Sequence, residues 1–521
     1  MMTGRRPSVT SSVWNSQPIK APTKLCYALS YAFEPLAATE KRRRQWIQSS
    51  FASNLRLRLG SRRLPQELAL MISQYCIREY AIAIVSLPMA GPDTSLLDPL
   101  RGIWACYIMI DGVQYFSSFA NQLSVGAQLI LSVEEAANVD RMYIAEDHLG
   151  IRQVCVGNST SPVLDRGGVS GLWWRTLPLH DGAQLRVHTD GLKIRRLESV
   201  PSNEISRLAE NIAWLTPEPR PDRIRFHSFT SECPTQLQMT SFICNDARTT
   251  AYSACWGWPI LDLRAHTTDG EDEAPYNEAV MRRKNTVWLY MPVDEGEFIS
   301  QIWKRSRQLT RELALLIVTN RDRVLLLGPQ PQPHSRPCNW SLLHRSDGAP
   351  SRIFFDITSP RGGIHKLGFE APEPVSSREL PLVPAPSSPY PESSSLDDYF
   401  YSSAPLENIV ELTPCEATVA GRRSVIGLLF RYSDGHQACV GQFRLDCAAT
   451  PMLVGSSTEM WLSFDTNDGY PFVDAVGISC PPRPMSRTCL YLSWAGKLEW
   501  WFSYKQCKLY YREQKSIGTK S

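Results

Sequence analysis

No stretch of this chain approaches the roughly 20 consecutive apolar residues that a bilayer-spanning helix needs, so no helical membrane anchor is expected. Nucleotide chemistry lacks its cradles. There is no G-x-x-x-x-G-K-[ST] loop and no G-x-G-x-x-G between a strand and a helix. Zinc chemistry lacks its ligand spacing: no C-x-x-C pair occurs, H-E-x-x-H is absent, and neither Cys439/Cys447 nor Cys480/Cys489 is set tightly enough for a tetrahedral site. Gly168-Val-Ser170-Gly171 falls short of the G-x-S-x-G nucleophile elbow, and a tight turn accounts for it. Asp269-Gly-Glu-Asp-Glu273 lacks the alternating oxygen ligands and distal Glu of a calcium loop. Strong charge of either sign is missing too, since 55 Lys and Arg against 52 Asp and Glu leave +3 over 521 residues. No whole-protein field therefore points to nucleic acid or a membrane surface. The expectation is a non-enzymatic protein without metal or cofactor.

The fourteen cysteines are spread along the chain, and Met1-Met-Thr-Gly-Arg-Arg-Pro7 runs into polar residues instead of an apolar signal region. Reduced thiols and an intracellular location, cytoplasmic or nuclear, are expected. Hydrophobic content of 43% is ample for large cores, and the length suits roughly three domains.

Alternation with period two is the dominant pattern, as in a strand with one buried face. Ile426, Leu428, Phe430 and Tyr432 alternate ahead of Asp434-Gly435, and His436–Leu445 returns. Asp-Gly suits the positive φ angles of a type I′ hairpin turn. The device recurs at Asp111-Gly112, between Trp104–Ile110 and Val113–Phe116, and at Thr189-Asp190-Gly191, between Leu185–His188 and Leu192–Arg195. Glu146-Asp-His-Leu-Gly150 suits a longer loop. Asn320-Arg-Asp-Arg323 separates two apolar runs, and Met460–Phe464, Phe472–Ile478 and Leu490–Trp494 turning at Ala495-Gly496 into Leu498–Phe502 read as further strands. The predicted class is mainly β, in antiparallel sandwich or barrel regions, with a short N-terminal helical segment and a few isolated helices. Helices are expected at 205–212, where Ile205, Leu208, Ala209 and Ile212 step by three and four after Ser202, and at 295–307, where Asp294 and Glu297 resemble a capping box.

This gives a layout of a disordered leader over 1–40, a basic tract and helix over 41–90, a first β-rich region over 95–328, and a second over 338–370 and 399–515. The Pro/Ser-rich segment 371–398 reads as a disordered insertion or linker. Lys41-Arg-Arg-Arg44 fits a nuclear import signal or, equally, a solvated helix face. His148 sits beside two carboxylates, which would raise its pKa. The doublets Trp173-Trp174 and Trp500-Trp501 would each send one ring to the core and one outward, where an indole can stack on a sugar, a proline or an arginine.

Leu64-Pro-Gln-Glu-Leu-Ala-Leu-Met-Ile-Ser-Gln-Tyr75 resembles the opening of an F-box through Leu64, Pro65, Glu67, Leu68, Ile72 and Tyr75. The resemblance implies docking to a Skp1-type adaptor of a cullin ubiquitin ligase, with a downstream domain selecting the target. The later, leucine-rich part of that motif has no counterpart, and Arg78–Val85 takes its place. This helix, with Asp147-His-Leu-Gly-Ile-Arg-Gln-Val154, Gly171-Leu-Trp-Trp-Arg175 and Gly441-Gln-Phe-Arg-Leu-Asp446, is similar to a group of fungal intracellular proteins with no assigned activity. Gly427–Gly435 also resembles strands of jacalin-like lectins. Three readings follow: an F-box-like interaction protein with an unknown target protein, a carbohydrate- or peptide-binding β-sandwich, and an unrecognised hydrolase. The last would bring two carboxylates, or a Ser and a His, together in a cleft.

Overall fold

The computed structural model describes residues 30–35, 37–59, 64–76, 92–158, 171–179, 183–200, 211–218, 223–229, 236–257, 260–268, 285–306, 313–333, 337–358, 363–370, 383, 385–392, 398–419, 421–467, 469–478, 488–511 and 514–515. The chain is mainly β and antiparallel, as its periodicity predicts. It divides into two compact units, residues 1–223 with 234–239, and residues 224–233 with 240–521. The division therefore falls inside the expected first β-rich region, not at 328–338.

Among the described residues, the first unit has two helices ahead of its strands, α1 (Ala37–Leu59) and α2 (Gln66–Tyr75). Its strands are β1 (Asp93–Leu97), β2 (Ile103–Ile110), β3 (Val113–Ala120), β4 (Gln128–Leu131), β5 (Arg141–Glu146), β6 (Ile151–Gly157), β7 (Trp173–Pro178), β8 (Gln184–Thr189), β9 (Ile194–Val200) and β10 (Ile212–Trp214). A single-turn helix, α3 (Val133–Ala136), carries a Ser132/Glu135 capping box ahead of β5. The pairing orders are β1-β8-β9, β3-β2-β4 and β6-β5-β7-β10, with residues 237–239 parallel to β10. All three groups contribute to one core that includes Ile103, Phe116, Met142, Ile144, Leu177, Leu185 and Ile194. Asp111 at φ 51° and Gly112 at φ 76° make the expected type I′ turn, with Ile110 opposite Val113.

The second unit contains several antiparallel groups. Strand Thr249–Trp256 lies between Ile260–Thr267 and Val287–Pro292, and Lys366–Phe369 lies between Arg225–Ser228 and Ser351–Asp356. Strand Arg422–Tyr432 pairs with Ile409–Val419 and Gln437–Gly441. Trp256, Leu289, Ile302, Phe355, Phe430, Leu462 and Trp500 belong to its core.

Several expectations are corrected here. Residues 299–306 form a strand, not a helix. Its register shifts between Ile302 and Trp303, so the buried residues Ile299, Ile302, Trp303 and Arg305 are spaced irregularly and imitate helical steps. Residues 205–210 lie outside the described residues, and Ile212 begins β10. At Asp434-Gly435 only Gly435 has positive φ, and Tyr432 N–H donates to His436 O, so the turn has three residues. Ala495-Gly496 does not close a hairpin: Thr488–Ser493 pairs with Glu459–Asn467, whereas Lys497–Phe502 pairs with Phe400–Pro405 and Cys507–Tyr511. Within the leader, residues 30–35 are packed and α1 starts at Ala37. Within the insertion, residues 387–390 dock on strand Lys497–Phe502.

Candidate functional site

Helix α2 starts where the Leu-Pro pair predicts. Pro65 takes φ −56° and ψ 152° before the first turn, and its carbonyl accepts the Ala69 N–H at 3.0 Å. Ala69 and Ser73, four residues apart and thus on one face, are fully buried. The two helices pack together, Gln48 of α1 donates its amide N–H to Leu70 O at 3.0 Å, and Ile47 and Ala52 of α1 are buried. The small side chains therefore form the inward face. Leu68, Met71, Ile72 and Tyr75 face out, with exposures of 49, 58, 42 and 84%. Glu67 and Pro65 are also exposed, and Leu64 is half-buried. Of the expected residues, Leu68, Ile72 and Tyr75 share one exposed apolar face with Met71. Sequence periodicity identifies this row but not the direction in which it points.

Helix α1 is itself held on the β2–β3 turn. Arg43 Nε donates to Asp111 Oδ2 at 2.5 Å, and its Nη1 donates to Tyr31 OH at 2.5 Å. Trp46 lies over Gly112, where a Cβ would come within 2.4 Å of the indole Nε1. Arg43 is therefore a structural anchor, whereas Lys41, Arg42 and Arg44 are exposed, with Arg44 bonded to Glu40 at 3.0 Å.

Beside that anchor two turns of similar sequence meet. Asp147 Oδ1 accepts the N–H groups of Leu149 (2.8 Å) and Gly150 (3.2 Å), while Tyr115 OH donates to its Oδ2 at 2.7 Å. Asp190 Oδ1 accepts those of Leu192 (3.0 Å) and Lys193 (2.9 Å), and Lys193 Nζ donates to its Oδ2 at 2.8 Å. Gly150 is required by the close approach of these turns, because a Cβ there would lie 2.8 Å from Ile194 O. Glu146 accepts two bonds from Arg175, at 2.8 and 3.0 Å, and one from Gln236 at 2.5 Å. A polar cavity of about 30 Å³ lies among Glu146, Asp147, Arg175, Arg195, Arg196 and Gln236. That volume suits about one water molecule. His148 is buried, edge-on to Tyr31 at 4.6 Å. Burial pushes its pKa down and outweighs Asp147, contrary to the expected rise.

No protein-family model matches the chain, and no curated protein matches it.

Of the four tryptophans expected for stacking, Trp174 alone keeps partial exposure. Trp173, Trp500 and Trp501 are buried, and Trp174 is half-buried. Strand Lys497–Phe502 is covered on both faces, so alternation does not bring a ring to solvent. Trp501 is covered by Tyr390 and Tyr401, at 5.3 and 5.0 Å, and its indole N–H donates to Ser388 Oγ at 2.8 Å. A Ser–His pair does exist: Ser253 Oγ stands 2.7 Å from His266 Nε2 on neighbouring strands. Both residues are buried, and the cavity that Ser253 lines is apolar and about 30 Å³. That setting makes the pair a core hydrogen bond with no room for a substrate. Gly168, Ser170 and Asp269–Glu273 lie outside the described residues. Among the described residues no cluster of His, Cys, Asp and Glu could hold a metal ion, and no helix is long and apolar enough to cross a membrane.

Proposed function

We propose that this protein is a non-enzymatic, F-box-like interaction protein whose helix α2 docks a Skp1-type adaptor and whose β-rich units offer surface to a target protein. The carrying observation is the orientation of α2, with Ala69 and Ser73 inward and Leu68, Met71, Ile72 and Tyr75 outward. An amphipathic helix earns its place in a fold by burying its large apolar side chains, and here they are left for a groove on a partner. Spacing of i, i+3, i+4 and i+7 supports the same reading, because it matches the anchors of a helix-in-groove contact. Leu68 and Ile72 supply central contacts, Tyr75 the distal one, and Pro65 and Glu67 set the helix start.

The test is co-purification of the full chain with a purified Skp1-type protein. Complex formation is expected, with at least a tenfold loss of affinity for Leu68→Arg, about 1.4 kcal/mol or more. Absence of a complex with the wild-type chain, or an unchanged affinity for Leu68→Arg, overturns the reading.

A further inference from the structure

In the second unit, strand Ile409–Val419 and the 3-10 turn Leu445–Cys447 bring two thiols together. Cys415 on the strand is fully buried, and Cys447 at the end of the turn is half-buried. Ala448 forms an antiparallel bridge with Cys415, and Ala449 N–H donates to Pro414 O at 2.8 Å. That bridge holds the backbones of Cys415 and Ala448, the residue after Cys447, about 5 Å apart. Cys447 packs against the small cluster that contains Cys415, whose thiol donates to Arg444 O at 3.7 Å. Arg444 N–H donates to Cys415 Sγ at 3.3 Å, and the Arg444 guanidinium is fixed on Asp446 at 3.0 and 2.6 Å.

We propose that Cys415 and Cys447 form a dithiol that a hydroperoxide oxidises to a reversible disulfide. Cys447 is the attacking sulfur because it is the more exposed of the two. The neighbouring Cys415 thiol and then the charge of Arg444 favour its thiolate, whereas burial pushes the Cys415 thiol well up. The Cys447 thiolate attacks one peroxide oxygen, so an S–O bond forms, the O–O bond breaks, and the departing hydroxide takes a proton to become water. Cys415 sulfur then displaces the hydroxyl. An S–S bond forms, the S–O bond breaks, and the Cys415 proton leaves with the hydroxide as a second water. Both sulfurs are oxidised, the peroxide is reduced, and a dithiol reductant reverses the change. The disulfide fastens the 445–447 turn to the middle of the strand. This site is independent of the docking helix.

The test treats the full chain with hydrogen peroxide and then with dithiothreitol. Non-reducing peptide mapping is expected to find Cys415 joined to Cys447, with the mass lowered by two hydrogens. The second unit's thermal midpoint rises by roughly 5 °C, and dithiothreitol reverses the changes. Cys447→Ser abolishes the link and Cys439→Ser leaves it. Since substitution at buried Cys415 endangers folding, a second readout uses the wild-type chain, in which iodoacetamide labels Cys447 roughly tenfold faster than the half-buried Cys106. A link from Cys415 to Cys439, a sulfinic acid on Cys447 without any link, thiols that stay free in peroxide, or equal labelling rates overturns the proposal.

Discussion

The turn Asp190–Lys193 and helix α2 depart from the ordinary sorting of residues in opposite directions. At the turn, an aspartate and a lysine have no solvent exposure, whereas four large apolar side chains of α2 stand in solvent. The first departure is compensated inside the fold: Asp190 accepts three hydrogen bonds, one of them from the buried ammonium. On α2 no such compensation exists among the described residues. Buried charge that is fully paired holds turns together, whereas an uncovered apolar row is a surface for recognition.

The largest expected effect comes from breaking the buried pair. Asp190→Ala takes the carboxylate away from the buried Lys193 ammonium and two backbone N–H groups, which costs about 4 kcal/mol. Denaturant unfolding of the first unit measures it. Asp190→Leu with Lys193→Met is expected to recover much of that loss, because the buried ammonium is removed together with its carboxylate. A loss below about 1 kcal/mol for the single variant would show that water reaches the turn.

His344 sharpens the contrast by a third route, burial without charge. Its ring stacks on Phe369 at 5.0 Å with planes 8° apart, and among the described residues neither ring nitrogen has a hydrogen-bond partner. Burial first, and then the charge of Arg225, pushes its pKa down to about 4. The unfolded imidazole binds its proton near pH 6.5, so the unfolded state holds the extra proton between about 6.5 and 4. The stabilising contribution is complete above that window, falls by about 3 kcal/mol across it, and levels off below. His344→Phe should flatten the second unit's stability over the same pH range. An unchanged slope refutes this assignment.

A smaller effect is expected at Glu499, which is buried and accepts the N–H groups of Ser387 (3.0 Å) and Ser388 (2.8 Å) and the Tyr401 hydroxyl (2.7 Å). Burial pushes its pKa up, but hydrogen bonds from Lys497, Ser388 and Tyr401 outweigh that and hold it well below the usual carboxylate range. Its contribution is therefore whole above the unfolded value of about 4.3 and fades as acid takes the pH through the folded value. Glu499→Gln should cost about 2 kcal/mol and speed proteolysis within residues 387–392. Equal cleavage rates would show that this carboxylate does not hold the segment down.

What was legible in the sequence is what depends on neighbours in the chain. Asp111-Gly112 announces its turn because its φ angles are a local matter. Residues 299–306 mislead because a register shift, set by the opposing strand, disturbs the alternation. Trp500 and Trp501 mislead for a related reason: alternation assigns faces but does not say whether a second layer covers the outer one. The Asp190–Lys193 pair looks like any polar hairpin turn until the neighbouring turn closes over it at Gly150. For α2, the apolar row was visible in Leu68, Met71, Ile72 and Tyr75. Its outward direction was not, because that follows from the burial of Ala69 and Ser73 on the opposite face.

The smallest effect on stability is expected where the effect on binding is greatest. Leu68→Arg places a long cation where Leu68 is already about half exposed, so neither a cavity nor a buried charge results. Its side chain adds only a surface charge, and arginine is as good a helix former as leucine. Stability should change by less than about 0.5 kcal/mol, within the range of ordinary surface substitutions. Ala69→Leu makes the opposite change on the same helix. It forces a large side chain into the α1 contact and should cost about 2 kcal/mol through overpacking. Thermal unfolding of both variants separates the two faces. If Leu68→Arg destabilises as much as Ala69→Leu, the outer row is packed within the molecule, and the contrast between compensated charge and uncovered apolar surface fails.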